Sequence, residues 1–238
     1  TGTPEFAQDA LVQDIAAALG TDDERLRSLE GDLGRLPDLE RIATALRSGN
    51  TQSTAQKATL QDLVAVYHSL RSCESIAATL SSYPVIHRDW LDVICKPLRD
   101  WFTHQSNFRD LVEQTIDLQQ AEQETYRINQ ACDHELGNLA RVRDKMKTQM
   151  EKAWARGNGN NFFNPELDSL SNCYKAALGR YDARAAHVGT EVLSVASSFG
   201  VAIGELHMMT NTIAVLASFA RKTRIDDTAV ENGISETH

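Results

Sequence analysis

Asp133–Arg156 (DHELGNLARVRDKMKTQMEKAWAR) decides the fold together with a second stretch, Asn164–Phe199 (NPELDSLSNCYKAALGRYDARAAHVGTEVLSVASSF). Apolar or small residues in both stretches step by threes and fours, which keeps them along one side of an α-helix. The break Gly157–Asn161 is rich in glycine and asparagine and lets the chain reverse between them. The seam consists of Leu136, Leu139, Val142, Met146, Met150 and Ala153 in the first stretch, and of Leu167, Leu170, Tyr174, Ala177, Tyr181, Ala185, Val188, Val192, Val195 and Phe199 in the second.

Each apolar seam needs a partner helix, and the other stretch supplies it. At roughly 1.5 Å of rise per residue, the two helices would reach roughly 35–50 Å, which is longer than a compact core requires. The sequence therefore predicts an all-α protein: a helical core body with a long antiparallel two-helix arm. In the predicted pairing, Leu170, Tyr174, Ala177 and Tyr181 face Met150, Met146, Val142 and Leu139.

Composition agrees with a helical protein. The chain has 238 residues, 42% of them hydrophobic, and only five prolines and thirteen glycines interrupt it. No run of eighteen or more apolar residues occurs, so we expect a soluble, intracellular protein with no membrane role. The formal charge of −9 argues against wrapping nucleic acid over the whole surface, yet it permits a local basic patch. The widely spaced Cys73, Cys95, Cys132 and Cys173 predict reduced thiols.

The chain divides by changes in pattern. The opening six residues have no helical period and resemble a cloning remnant, and the closing residues are polar and aperiodic. Between them, Ile15 and Leu19 begin a series of amphipathic helices, and the aromatic-rich stretch from Trp90 to Phe102 is expected to be deeply buried. The predicted parts are residues 1–6 (remnant), 7–132 (helical core), 133–156 (outgoing arm helix), 157–164 (arm tip), 165–222 (returning arm and closing core helices) and 223–238 (polar tail).

No residues form a convincing catalytic or metal site. Cys132, Asp133, His134 and Glu135 are consecutive, so their side chains cannot all converge on one ion. We interpret Asp133 instead as the N-cap of the outgoing helix, with Glu135 complementing the helix dipole. The chain contains no Gly-x-x-x-x-Gly-Lys-Ser/Thr loop to cradle a triphosphate. We therefore expect no enzyme activity and no bound cofactor.

One charge pattern stands out within this acidic chain. Six basic residues lie between positions 141 and 156 against two acidic ones, Asp144 and Glu151. The excess is compatible with an arm tip that binds phosphates without reading sequence. The residues alone favour the other interpretation, a solvated helix face whose cations lie near the C-terminus. The candidate DNA-binding residues nearest the tip are Lys145, Lys147, Lys152 and Arg156; Arg141 and Arg143 complete the basic set.

The order of short motifs resembles the MutS family of DNA mismatch-repair proteins over nearly all of residues 7–220. The returning arm is most similar to the second eukaryotic MutS homologue. The motifs are Asp38-Leu39-Glu40-Arg41-Ile42, Leu60-Gln61-Asp62-Leu63, His68-Ser69-Leu70, Asn107-Phe108, Thr115-Ile116-Asp117, Ile128, Cys132-Asp133-His134-Glu135-Leu136, then Asn158-Gly159, Phe162, Asn164, Leu167, Ser169-Leu170 and Tyr174, and finally Ser218-Phe219-Ala220.

This resemblance implies a function for the arm. In the family, the arm is a lever that couples an ATPase domain to a clamp around mismatched duplex DNA, in a heterodimer with another MutS homologue. ATP and Mg²⁺ belong to the whole protein, which would be nuclear in a eukaryote. The chain departs from the family in its missing phosphate loop, in a clamp reduced to Gly157–Asn164, and in Ala214, where the family has aspartate. The alternative function is a free-standing helical hairpin that acts as a protein-interaction scaffold.

Overall fold

The computed structural model describes residues 13–48, 57–83, 96, 98–102, 105–156 and 165–234, with side chains described as far as residue 222. Over these residues the fold is all-α, as predicted, and the single β-type pairing is an isolated bridge between Ile116 and Ile128. The predicted remnant (1–6), the predicted tip (157–164) and part of the aromatic stretch, including Trp90, lie outside the described residues.

The chain forms two compact units. The first contains Thr1–Lys57, Ala65–Phe108 and Ser198–His238, and the second contains Ala58–Val64 and Arg109–Ser197. Residues 109–132, predicted as part of the core, therefore group with the arm. The helices are α1 (residues 13–20), α2 (Asp23–Gly34), α3 (Leu39–Ser48), α4 (Leu60–Ser81), α5 (residues 98–102), α6 (Ser106–Thr115), α7 (Leu118–Ala121), α8 (His134–Arg156), α9 (Pro165–Ala196), a 3-10 turn (Ser197–Phe199) and α10 (Gly200–Ile234).

In the first unit, α10 packs closely against α3. A Cβ atom on Gly200 would lie 2.8 Å from Cγ of Arg47 and 3.2 Å from the carbonyl oxygen of Ala43, so a larger residue there would force the helices apart. The indole N–H of Trp101 donates a hydrogen bond to the carbonyl oxygen of Ala202, 2.7 Å away. Buried Leu98 and Trp101 agree with the predicted burial of the described end of the aromatic stretch.

The same unit contains a contact between α2 and α10. The guanidinium of Arg221 holds the carboxylate of Glu30 through two hydrogen bonds, one of them 2.7 Å long. Asp22 caps α2 by accepting a hydrogen bond from the backbone N–H of Arg25. Ala214, where the resembled family has aspartate, lines a groove of about 410 Å³ between these two helices. The sequence predicts a polar tail from residue 223, whereas α10 continues as a helix to Ile234.

In the second unit, α8 and α9 pack side by side as the predicted antiparallel pair. Arg156 at the end of α8 lies 3.9 Å from Glu166 at the start of α9, and Arg184 of α9 lies beside Asp133 at the start of α8. With 23 and 32 residues, the helices are about 34 Å and 48 Å long.

The predicted seam is largely confirmed, with two corrections. Leu136 and Ala153 on α8 are buried, as are Tyr181 and Val192 on α9. Ala177 and Val188 on α9 are also buried. The half-buried seam residues are Leu139, Met146, Met150, Leu167, Leu170, Tyr174, Ala185 and Phe199.

Val142 and Val195 are the exceptions, because their side chains are exposed. Val142 follows Leu136 by two steps of three residues. At about 100° per residue, Val142 therefore lies about 120° from Leu136 around the helix. Ala140 is buried and Arg143 half-buried beside the seam instead. Near the end of α9 the buried residue is Ala196, four residues after Val192 and on the same side.

Among the described residues, one helical stretch, Pro165–Lys222, is long and apolar enough to cross a membrane by length and composition alone. Its most apolar window has a mean hydropathy of 1.4 and is 28% buried. The stretch combines α9, the 3-10 turn and α10, and core helices of soluble proteins meet the same test. Composition of this kind does not by itself indicate a membrane span.

Candidate nucleic-acid interface

The arm begins at a cap formed by Asp133. Its Oδ1 accepts a hydrogen bond of 2.6 Å from the backbone N–H of Leu136, which confirms the predicted N-cap. The Arg184 guanidinium adds two hydrogen bonds to the same carboxylate, with Nη2 2.6 Å from Oδ2 and Nε 3.1 Å from Oδ1. These bonds, led by those from Arg184, lower the pKa of Asp133 to about 2.

This arrangement gives the run Cys132–Glu135 a structural role. Glu135 lies 3.3 Å from Nε of Arg184 and joins the same ion-pair cluster. Across the described residues, no group of three or more His, Cys, Asp or Glu side chains could hold a metal ion. Cys132 and Cys173 are exposed free thiols, while burial raises the pKa of the Cys73 thiol to about 12.

One of the six basic residues, Arg143, lies within the helix pair. Its guanidinium lies 4.2 Å from the centre of the Tyr181 ring on α9, which is a cation–π contact. It also bonds the carboxylate of Asp144, with 2.8 Å between Nε and Oδ1. Arg143 therefore joins α8 to α9 and is not available to a phosphate.

Four other basic residues share one side of α8 and form what we call the basic stripe: Arg141, Lys145, Lys152 and Arg156. They are separated by four, seven and four residues, which are close to whole numbers of helical turns. All four side chains are exposed, and they extend over about 22 Å of the helix axis. The offsets place no acidic residue of α8 in the stripe.

Lys147 does not belong to the basic stripe. Two residues from Lys145, it projects from the opposite side of α8, where its ammonium lies 3.9 Å from the carboxylate of Glu151. The structure thus brings together three of the four predicted site residues and adds Arg141. The signal for this grouping was present in the sequence, because it follows from the helical offsets once α8 is a continuous helix.

The electrostatics of the basic stripe favour an extended anion. Arg156 contacts Glu166 at 3.9 Å, but both side chains are about 70% exposed, so this pair is weak in water. Lys145 and Lys152 have no ion-pair partner within the part of the chain that the structure describes. Exposed, flexible cations of this kind bind phosphates by charge and supply no nucleophile or general base.

Comparison with known proteins gives a partial match. No protein-family model matches this chain. It is 24% identical over 262 positions to the DNA mismatch repair protein MSH2 of Zea mays, covering 87% of this chain and 27% of the maize protein. It is 27% identical over 146 residues to the DNA mismatch repair protein msh-2 of Neurospora crassa, covering 60% of this chain and 15% of that protein. These similarities support a relationship to the MutS family.

The coverage carries two further facts. The chain spans about a quarter or less of the length of these curated relatives. The aligned region with the maize protein has 262 positions, which exceeds the 238 residues of this chain. The maize protein therefore contains residues inside the aligned region that this chain lacks.

Proposed function

We propose that this chain is the core and lever portion of a MutS-type DNA mismatch-repair protein of the second eukaryotic type. The observation that carries the proposal is the similarity to maize MSH2 along 87% of the chain, together with a paired two-helix arm in the same region. The maize protein has extra residues inside the aligned region, which is expected if the clamp of this chain is reduced to the tip at 157–164.

The proposed role is mechanical. A lever must transmit a displacement along its length, which requires an element that does not bend or slide. The side-by-side packing of α8 and α9 and the Asp133–Arg184 ion pair at the base of the arm suit that requirement. In the whole protein, the lever would couple an ATPase domain that binds ATP and Mg²⁺ to a clamp on mismatched duplex DNA.

Other features of the proposal come from the family resemblance. The partner would be another MutS homologue in a heterodimer, and a eukaryotic protein of this type would act in the nucleus. The chain itself would have no enzyme activity. Because it lacks a phosphate loop, we expect no saturable binding of Mg-ATP in a calorimetric titration.

The basic stripe is the proposed contact with DNA in this chain. Four cations that neutralise four phosphates give weak binding, with a dissociation constant on the order of 0.1 mM at physiological salt. They also give a slope of about −3.6 for the logarithm of the binding constant against the logarithm of salt concentration. Lower salt therefore brings the binding into a range that fluorescence anisotropy can measure.

The test is a salt series with a labelled duplex and the double variant Lys145→Gln/Lys152→Gln. Removing two phosphate contacts should reduce the slope to about −1.8 and weaken binding at 50 mM salt. The matched control is Arg27→Gln/Arg71→Gln, which removes two exposed cations from α2 and α4. Equal losses in both double variants would show that net charge alone is responsible, and the basic stripe would then not be the interface.

A further inference from the structure

Trp154 is the most informative side chain that the proposed function leaves unused. It lies on the last turns of α8, and 66% of its surface is exposed. The other tryptophan with a described side chain, Trp101, is buried and bonds the carbonyl oxygen of Ala202. A large exposed indole near the end of an arm is a typical binding feature, because it offers a broad apolar face at little entropic cost.

One cation, Lys147, shares its side of α8 with Trp154. Lys147 precedes it by seven residues and projects from the same side of α8, about 10 Å along the axis. Lys147 and Glu151 are each more than half exposed, so an incoming phosphate can compete for the lysine. Lys152 and Arg156 follow the opposite side of the same turns and belong to the basic stripe.

We infer that this end of the arm binds single-stranded nucleic acid, with an unpaired base stacked on Trp154 and a neighbouring phosphate held by Lys147. Such binding uses an aromatic platform together with a cation on the same side of the helix, since every base has a π-face and every nucleotide a phosphate. A base within a duplex is already stacked and cannot use the platform. The inference rests on the proposed function for its choice of a nucleic acid as partner.

The assignment also explains why Lys147 lies apart from the basic stripe. The stripe tracks phosphates along one side of α8, whereas Lys147 and Trp154 occupy the other side. Duplex and single-stranded DNA would therefore use different side chains. This difference makes the two proposals separable by mutation.

The experiment uses the full chain with a labelled oligo-dT, a phosphate-matched abasic oligomer, and a duplex, all at 50 mM salt. Trp154→Ala should weaken oligo-dT binding by roughly 5- to 150-fold, the equivalent of the usual 1–3 kcal/mol for one base stacked on an aromatic ring. Binding of the duplex and of the abasic oligomer should not change. Oligo-dT should also quench tryptophan emission in the parent chain and not in the variant.

Two further variants serve as controls. Trp154→Phe keeps an aromatic face and should retain most of the oligo-dT affinity. Met208→Ala removes an equally exposed apolar side chain from α10 and should have no effect on any of the three ligands. A melting temperature equal to that of the parent will show that Trp154→Ala is folded.

Three results would overturn the inference: equal affinity of the parent chain for oligo-dT and the abasic oligomer, unchanged oligo-dT binding in Trp154→Ala, or no saturable oligo-dT binding at 50 mM salt. Each is distinct from failure of the proposed function. The duplex binding proposed for the basic stripe is tested by its weakening in Lys145→Gln/Lys152→Gln, and that proposal survives any of these three outcomes.

Discussion

At the scale of single residues, Glu124 marks a strained turn. It has a φ of 57°, the only positive value among the described residues other than glycine. The turn ends α7: the backbone N–H of Thr125 donates to the carbonyl oxygen of Gln120, and that of Glu124 to the carbonyl oxygen of Ala121, both at 3.0 Å. Glycine is the usual residue at such a position because it has no Cβ to clash.

Glu124→Gly should therefore stabilise the protein. Relief of the left-handed strain is worth about 1 kcal/mol, partly offset by the greater freedom of glycine in the unfolded chain. Urea denaturation of parent and variant measures the difference. Glu124→Ala, which retains a Cβ, is the control and should not gain stability. A lower urea midpoint for Glu124→Gly than for the parent would show that the left-handed conformation of Glu124 does not destabilise the fold.

At the scale of elements, α8 has one buried, apolar side and one exposed, basic side. Leu136 and Ala140 are buried on the seam, while Lys145 and Lys152 are exposed on the basic stripe. A helix with this division is held by its partner and not by its own propensity. The stability of the arm should therefore depend on seam residues and be nearly indifferent to those outside it.

Leu136 and Val142 give a matched pair for this expectation. Leu136 has no exposed surface, so Leu136→Ala should cost about 2–5 kcal/mol through lost burial and the cavity left behind. Val142 is 48% exposed, and Val142→Ala should change stability by less than about 0.5 kcal/mol. Chemical denaturation measures both. A larger loss of stability in Val142→Ala than in Leu136→Ala would show that Val142 belongs to the seam, as the spacing predicted.

The base of the arm should make stability depend on pH. The pKa of Asp133 is lowered to about 2 in the folded protein, so between about pH 4 and pH 2 the unfolded state binds more protons than the folded state. The stabilisation by this carboxylate is complete above that range and is lost as the pH falls through it.

Asp133→Asn removes the titrating group and should show this effect by difference. The parent should be more stable than the variant from pH 7 down to about pH 4, and the gap should close as the pH approaches about 2. Urea titrations at each pH supply the comparison. A gap that stays constant down to pH 2 would mean that the Arg184 hydrogen bonds do not hold the carboxylate in its charged form in solution.

At the scale of the whole molecule, the net charge is −9, whereas the basic stripe is locally positive. Long-range repulsion opposes the approach of DNA, and only short-range phosphate contacts favour it. Phosphate contacts carry no information about base sequence. DNA bound by this chain should therefore be held weakly and without selection.

We expect no preference for a mismatch. Duplexes with and without a single mismatch should bind with affinities equal within about twofold, because discrimination requires side chains that insert between bases or read their edges. Anisotropy competition at several salt concentrations is the measurement. Tight binding that survives high salt, or a clear preference for the mismatched duplex, would show that the arm end reads DNA and is not a simple lever.

The candidate site shows where prediction from the sequence succeeds and where it stops. The concentration of cations in α8 follows from composition, and their division between two sides follows from helical offsets. The cation–π contact of Arg143 with Tyr181, which removes Arg143 from the phosphate-binding set, could not be predicted. It depends on how a long side chain is oriented against a second helix. The same holds for the end of α10, since polar residues after Lys222 suggested a tail and not a helix.

The sequence by itself determined the all-α class, the antiparallel pairing of α8 with α9, most of their seam and the cap at Asp133. Each of these depends on spacing within a few turns or on a hydrogen bond to a near neighbour. The tertiary structure alone decided the close approach of Gly200 to α3, the Arg221–Glu30 ion pair and the Arg184 contact with Asp133. These contacts join residues that are far apart in the chain, and local periodicity carries no information about which distant side chains meet.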